Sequence, residues 1–177
     1  GYVEEDILLI MVAGFREQKD QDTVIRAMEL LPSNYKLILV GDGDRRFILE
    51  ELVQELELDS RVNCLGLRSD VYELIKMSDI AILSSHWEGF GLAAAEAMAC
   101  GIPTIASDVD GLSQVVDGGG LIFEKGNIHD LYSKIMTLRD VDFYEKVSKN
   151  GIEKAQAYNI TNMVDNLSLL YKEVFEG

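Results

Sequence analysis

Residues Ser84–Pro103 read SSHWEGFGLAAAEAMACGIP, and the run just before them, Asp79–Leu83, reads DIAIL. The apolar, partly β-branched run has the length and composition of a short buried strand. The glycine-flanked Gly89-Phe90-Gly91 then reads as a tight loop, and the alanine-rich run after it as a helix. Glu88 falls in the loop and Glu96 on about the second turn of the helix, eight positions on. At the start of such a helix the N–H groups of Gly91 and Leu92 have no partner in the helix itself, and the site favours anions. Two acceptor-only carboxylates beside an anion site suit a ligand carrying both hydroxyls and phosphate, as a sugar nucleotide does. On spacing alone, a solvated Glu96 and a Glu88 that only caps the turn fit equally well.

Working outward, short apolar runs alternate with amphipathic segments along the whole chain. Strands are predicted at Ile7–Ala13, Lys36–Val40, Arg61–Leu65, Asp79–Leu83, Pro103–Ala106 and Leu121–Phe123. Helices are predicted at Gln21–Leu31, Arg45–Leu56, Val71–Met77, Gly91–Cys100, Leu112–Val116, Ile128–Leu138 and Tyr144–Ala157. In the second helix Ile48, Leu52, Val53 and Leu56 form an apolar stripe opposite acids, and Pro32 marks the end of the first. The alternation predicts an α/β, Rossmann-like, doubly wound parallel sheet of about six strands, with residues 1–177 as a single domain. Ligands of such sheets bind beyond the carboxyl ends of the strands, where the strand order reverses. A last stripe, Ile160, Met163, Val164, Leu167, Leu170, Tyr171 and Val174, predicts a long terminal helix, packed on this domain by preference or else crossing to a partner domain.

The 177 residues suffice for one substantial core, with 47% hydrophobic and 27% charged residues. The net charge of −15 argues against non-specific binding to nucleic acid or to an anionic membrane surface. The acids lie along helix faces, as at Glu50, Glu51, Glu55 and Glu57, rather than in a tail. No apolar run reaches membrane-spanning length, and the opening GYVEEDILLIMVAG reads as the approach to a strand rather than a secretory signal. Cys64 and Cys100 sit far apart in apolar company, which fits free buried thiols in a reducing compartment and does not settle against a bridge. No cysteine and histidine spacing suggests a metal site.

The phrase EGFGLAAAEAMACGIPTIASDVDG resembles the E-x7-E region of retaining glycosyltransferases of the GT-B fold, particularly family 4. The order carries the resemblance: EGFGL, EAMA, G-x-P, a short strand, then a D-x-x-G turn. The resemblance extends over nearly the whole chain and implies the C-terminal, donor-binding half of a GT-B fold. It implies transfer of a hexosyl group from a nucleotide diphosphate sugar with retention of configuration, through front-face departure and attack. Glu96 would then hold ribose hydroxyls, while Glu88 and the Phe90-Gly91-Leu92 backbone would hold sugar hydroxyls and phosphate.

Lys19 follows the first predicted strand and reads either as a point charge for a diphosphate or as a solvated surface lysine. The family's loop here commonly carries an arginine and then a lysine that neutralise the diphosphate, and Lys19 falls on that lysine. The arginine's place is taken by Gly14, with Arg16 two residues on as its potential substitute. Donors aimed at a leaving group's growing charge are often worth ~3–4 kcal/mol each, so this departure bears on catalysis. Gly41-Asp42-Gly43 reads as a tight strand-to-helix turn, and the family's VGxG turn at Gly41 faces the cleft. Leu67 and Arg68 lie in the loop that in the family meets the nucleobase; Arg68 reads equally as a stacking or phosphate-contacting group and as a solvated one. UDP, GDP and ADP are not distinguished, though a UDP-sugar is favoured.

His86 reads as a structural histidine. The aspartate pairs Asp20/Asp22 and Asp108/Asp110 have D-x-D spacing, but the E-x7-E class is metal-independent, so no metal and no cofactor are expected. The expected partners are the nucleotide-sugar donor and an N-terminal acceptor domain, in the same chain or a separate one, which would provide any peripheral membrane contact. The expected place is the cytoplasm, at the inner face of the membrane in polysaccharide or glycolipid assembly. Two other readings stay open: a non-catalytic nucleotide-sugar-binding or assembly module, which Gly14 favours, and a GT-B-fold sugar-nucleotide epimerase, which EGFGL–EAMA disfavours.

Overall fold

The computed structural model describes residues 3–159 and Tyr171. Within residues 3–159, six strands alternate with seven α-helices: β1 Ile7–Val12, α1 Gln21–Leu30, β2 Tyr35–Val40, α2 Arg46–Glu55, β3 Val62–Gly66, α3 Val71–Lys76, β4 Ile80–Leu83, α4 Leu92–Ala99, β5 Thr104–Ser107, α5 Leu112–Val116, β6 Leu121–Phe123, α6 Ile128–Thr137 and α7 Val141–Gln156. All strand pairs are parallel, and the order across the sheet is β3-β2-β1-β4-β5-β6. This is the doubly wound Rossmann order, and it reverses between β1 and β4.

The strands are near-continuous apolar runs because both faces of the sheet are covered. Along β1, Leu9 and Met11 join a core with Val24, Ile25 and Met28 of α1 and Leu131 and Ile135 of α6. Leu8 and Ile10 point the other way, onto Leu74 and Ile75 of α3 and Ala97 of α4. A third cluster under α5 joins Leu83, Ala94, Met98, Leu112 and Val116. Small residues let α4 and α7 approach: a Cβ on Gly151 would stand 3.4 Å from Met98 Cγ and 3.1 Å from the Gly119 carbonyl oxygen.

Every predicted strand is found, with ends moved by no more than one residue. The last described helix differs more. It begins at Val141 rather than Tyr144, because the Asp140 carboxylate caps it by accepting from the Phe143 N–H at 2.8 Å. A short 3-10 turn at Glu17–Lys19 precedes α1 and was not anticipated. The apolar stripe Ile160–Val174 lies, apart from Tyr171, outside the described residues.

Candidate functional site

Beyond Val12 the chain stays against the end of β2. Ala13 N–H donates to the Val40 carbonyl at 3.0 Å and Phe15 N–H to that of Asp42 at 2.9 Å. Only a glycine fits at position 41: its φ is +143°, and a Cβ there would stand 2.0 Å from the Ala13 carbonyl oxygen. The buried Phe15 anchors the loop, the 3-10 turn follows, and Asp20 closes it in a left-handed conformation, φ 49° and ψ 49°. The Asp20 carboxylate caps α1, accepting from Thr23 N–H at 3.3 Å and Thr23 Oγ1 at 2.7 Å. Burial is the main cause that holds this carboxyl's pKa above the ordinary aspartate value.

The chain leaving β4 is tied to that turn. Ser84 Oγ donates to the Asp20 carbonyl at 2.7 Å, and His86 N–H donates to the Gln18 carbonyl at 2.8 Å. The Gln18 amide returns a bond to the Trp87 carbonyl at 2.8 Å. His86 Nδ1 lies 3.7 Å from Asp20 Oδ2. Ser107, at the end of β5, supports the same loop by donating to the Ser85 carbonyl at 2.6 Å.

This frame brings Lys19 against Glu88. Lys19 Nζ pairs with Glu88 Oε2, the two side chains being 22% and 15% exposed. Ser85 Oγ stands 3.4 Å from the same oxygen, and Glu88 Oε1 accepts from Gly89 N–H at 3.2 Å. Gly91, at φ +77°, opens α4 without a side-chain cap, and among the described residues the N–H groups of Leu92 and Ala93 donate to no partner. Lys19, Glu88, Ser85, Gly91, Leu92 and Ala93 line one cavity of about 190 Å³, closed below by Met11 and Leu83. It sits between the ends of β1 and β4, where the strand order reverses.

Glu96 lies in the neighbouring space. It is exposed and lines an open groove of about 470 Å³ with Phe90, Leu92, Ala95, Ile152 and Tyr158. Phe90 packs edge-on against Tyr158, ring centres 5.1 Å apart. Leu92 borders both spaces, so the two glutamates serve adjoining cavities rather than one. Gly14 is exposed, and a Cβ on it would meet only the Asp42 carbonyl oxygen at 3.7 Å and Arg16 Nε at 3.8 Å, both ordinary contacts. The Arg16 guanidinium thus lies beside Gly14, and it makes no hydrogen bond or ion pair among the described residues.

The other candidates stand at the β2–β3 flank. Leu67 is 81% exposed, and Arg68 holds Asp70 with two bonds of 2.8 and 2.6 Å, which keep the Asp70 carboxyl below its ordinary value. Of the aspartate pairs, Asp20 is spent on its cap and Asp22 on a two-pronged bond to Arg45 at 2.8 and 2.9 Å, while Asp108 and Asp110 are exposed. Both cysteines are free thiols, and burial pushes that of Cys64 up to about 11. Among the described residues, no helix is long and apolar enough to cross a membrane.

The sequence reading gave no role to Gln18, Ser84 or Ser85, which build the frame, and quoted Gly111 only as the end of the D-x-x-G turn. Gly111 is the least replaceable: at φ +82°, its Cβ would stand 2.3 Å from the Glu88 carbonyl oxygen. The serine pair directly after a buried strand was the available signal for two of the others.

The family model for glycosyl transferases group 1 matches residues 1–154. The N-acetyl-alpha-D-glucosaminyl L-malate synthase of Bacillus anthracis is 32% identical over 98% of this chain and 47% of its own length. The UDP-Gal:alpha-D-GlcNAc-diphosphoundecaprenol alpha-1,3-galactosyltransferase of Escherichia coli is 32% identical over 80% of this chain and 38% of its own. This chain spans about half the length of the curated relatives it matches. Among solved structures, Anabaena HepE in complex with UDP and glucose superposes with a TM-score of 0.86 at 26% identity, over 94% of this chain and 49% of that one. The same protein is also known in complex with UDP-glucose. The fold is that of GT-B glycosyltransferases, and this chain belongs to the glycosyl transferases group 1 family.

Proposed function

We propose that this chain is the C-terminal, donor-binding domain of a retaining, family 4 glycosyltransferase. It moves a hexosyl group from a nucleotide diphosphate sugar, a UDP-sugar by preference, to a glycan or lipid-linked acceptor. One observation carries the reading: the Lys19–Glu88 pair stands at the switch point beside the unpartnered N–H groups of Leu92 and Ala93. A cation, a hydroxyl-accepting carboxylate and open helix amides on one small cavity suit a diphosphate joined to a sugar. The UDP and UDP-glucose complexes of HepE support a uridine donor. The undecaprenol-linked acceptor in the name of the Escherichia coli relative supports a lipid-linked one.

As the bond from the sugar's anomeric carbon to the phosphate oxygen breaks, its electron pair goes to the leaving diphosphate. Lys19 and the amides of Leu92 and Ala93 stabilise that charge. Glu88 and the Phe90-Gly91-Leu92 backbone hold the sugar, and Glu96, one cavity over, holds the ribose. The base extends toward Gly41, Leu67 and Arg68. The acceptor binds to an N-terminal domain, in the same chain or a partner, and the domain alone binds donor and transfers little or nothing. The site of action is the cytoplasmic face of a membrane.

A second reading, a module that binds nucleotide sugar without transfer, is favoured by Gly14, which leaves the family's arginine position empty of charge. Calorimetric titration of the chain with UDP, GDP and ADP, beside Lys19→Ala and Glu96→Ala, tests the donor site that both readings share. Saturable binding of one nucleotide is expected, weakened ~10–100-fold by Lys19→Ala, as loss of a charged hydrogen bond of ~1.5–3 kcal/mol implies. Unchanged affinity in both variants would overturn the reading.

A further inference from the structure

We propose that Glu88 sets the preference of this site for an intact nucleotide sugar over the bare nucleoside diphosphate, by holding Lys19 when no sugar is present. The inference rests on the donor-site reading above and adds a selectivity to it.

Lys19 is not waiting free for an anion. Its ammonium is already paired with Glu88, and the pair is mostly withdrawn from solvent. The remaining bonds to the carboxylate are weak: Ser85 Oγ at 3.4 Å and the Gly89 N–H at 3.2 Å. Glu88 therefore depends on Lys19 for most of its compensation. The frame around them is fixed, since Gln18, Ser84 and His86 lock the two loops to each other. An incoming diphosphate must therefore compete with Glu88 for the Lys19 charge.

The two ligands then differ. A bare nucleoside diphosphate leaves Glu88 in the same small cavity, short of its cation and beside new negative charge; both effects are costly where solvent is largely excluded. A nucleotide sugar brings hydroxyl donors that replace Lys19 at Glu88 and a neutral ring that separates carboxylate from phosphate. The exchange is balanced only for the intact donor. After transfer the diphosphate remains without a sugar, the pair re-forms, and product leaves.

The test is calorimetric titration of the full 177-residue chain with UDP and, separately, UDP-glucose, for wild type, Glu88→Gln and Lys19→Ala. Glutamine keeps the shape and leaves Lys19 unclaimed. Expected is a gain of tenfold or more in UDP affinity for Glu88→Gln, with UDP-glucose gaining less or losing, so that the ratio of the two affinities shifts toward UDP. That ratio is insensitive to partial unfolding, because both ligands read the same folded fraction. If wild type binds UDP, Lys19→Ala weakens it and Glu88→Gln weakens UDP and UDP-glucose alike, the selectivity role is overturned while the donor site stands. If neither wild type nor Glu88→Gln binds either ligand, the donor-site reading falls and this inference falls with it.

Discussion

The carboxyl edge of the sheet has two regions built on opposite plans. At the β1–β4 switch point the stabilising contacts join segments 69 residues apart: Gln18 to Trp87, and Lys19 to Glu88. At the β2–β3 flank the ion pairs of Arg46 and Arg68 are local. Arg46 meets Asp42 and Glu50 four residues away on either side, and Arg68 meets Asp70 two residues on. Local, exposed pairs of that kind contribute little to stability and are screened by salt. The long-range pair is different, because it holds opposite charges at the mouth of a cavity and depends on two loops being in register. On the proposed reading, the charge that a ligand would exchange lies where contacts between distant segments hold it.

Glycine substitutions break this comparison most directly. Gly111→Ala adds a Cβ 2.3 Å from the Glu88 carbonyl at a left-handed φ, so backbone strain and overpacking together should cost about 2–5 kcal/mol. Gly66→Ala at the flank meets only the Arg46 side-chain end, at 3.2 Å, and should cost about 1–2 kcal/mol. Urea denaturation of the two variants measures the difference; equal losses would mean the switch-point loops are not the more tightly built region.

A smaller effect sharpens the comparison. Gly14→Arg restores a cation beside the switch point, at a position where a side chain meets only ordinary contacts. It should leave stability nearly unchanged and tighten UDP binding about tenfold, the low end of a charged hydrogen bond. No gain, read by the same calorimetric titration, would mean that Arg16 already supplies that charge.

The sheet was legible in the sequence because buried parallel strands must be continuous apolar runs, and each was found within a residue of its predicted bounds. The start of α7 was not, since Val141 is 69% exposed and the Asp140 cap marks the helix start three residues before Tyr144. The site divides the same way. Glu88, Glu96 and Lys19 were marked by their motif, and Gly91 and Leu92 by the loop-to-helix pattern. That Lys19 pairs with Glu88, and that Glu96 opens on a separate groove, depends on contacts across the fold that no local spacing encodes. Arg68, undecided from its neighbours in sequence, turns out to be held by one of them, Asp70.

The central claim is that nucleotide binds at the switch point on the carboxyl edge. The opposite edge offers a larger open cavity, about 560 Å³, lined by Asp6, Lys36, Asp59 and Ser60. Titration of ¹⁵N-labelled chain with UDP, followed amide by amide, separates the two. The account predicts the largest shifts at Gly14–Lys19 and Gly91–Ala93, with Asp6, Lys36 and Asp59 unmoved. Saturable shifts centred on Asp6, Lys36 and Asp59, with Gly91–Ala93 silent, would contradict it.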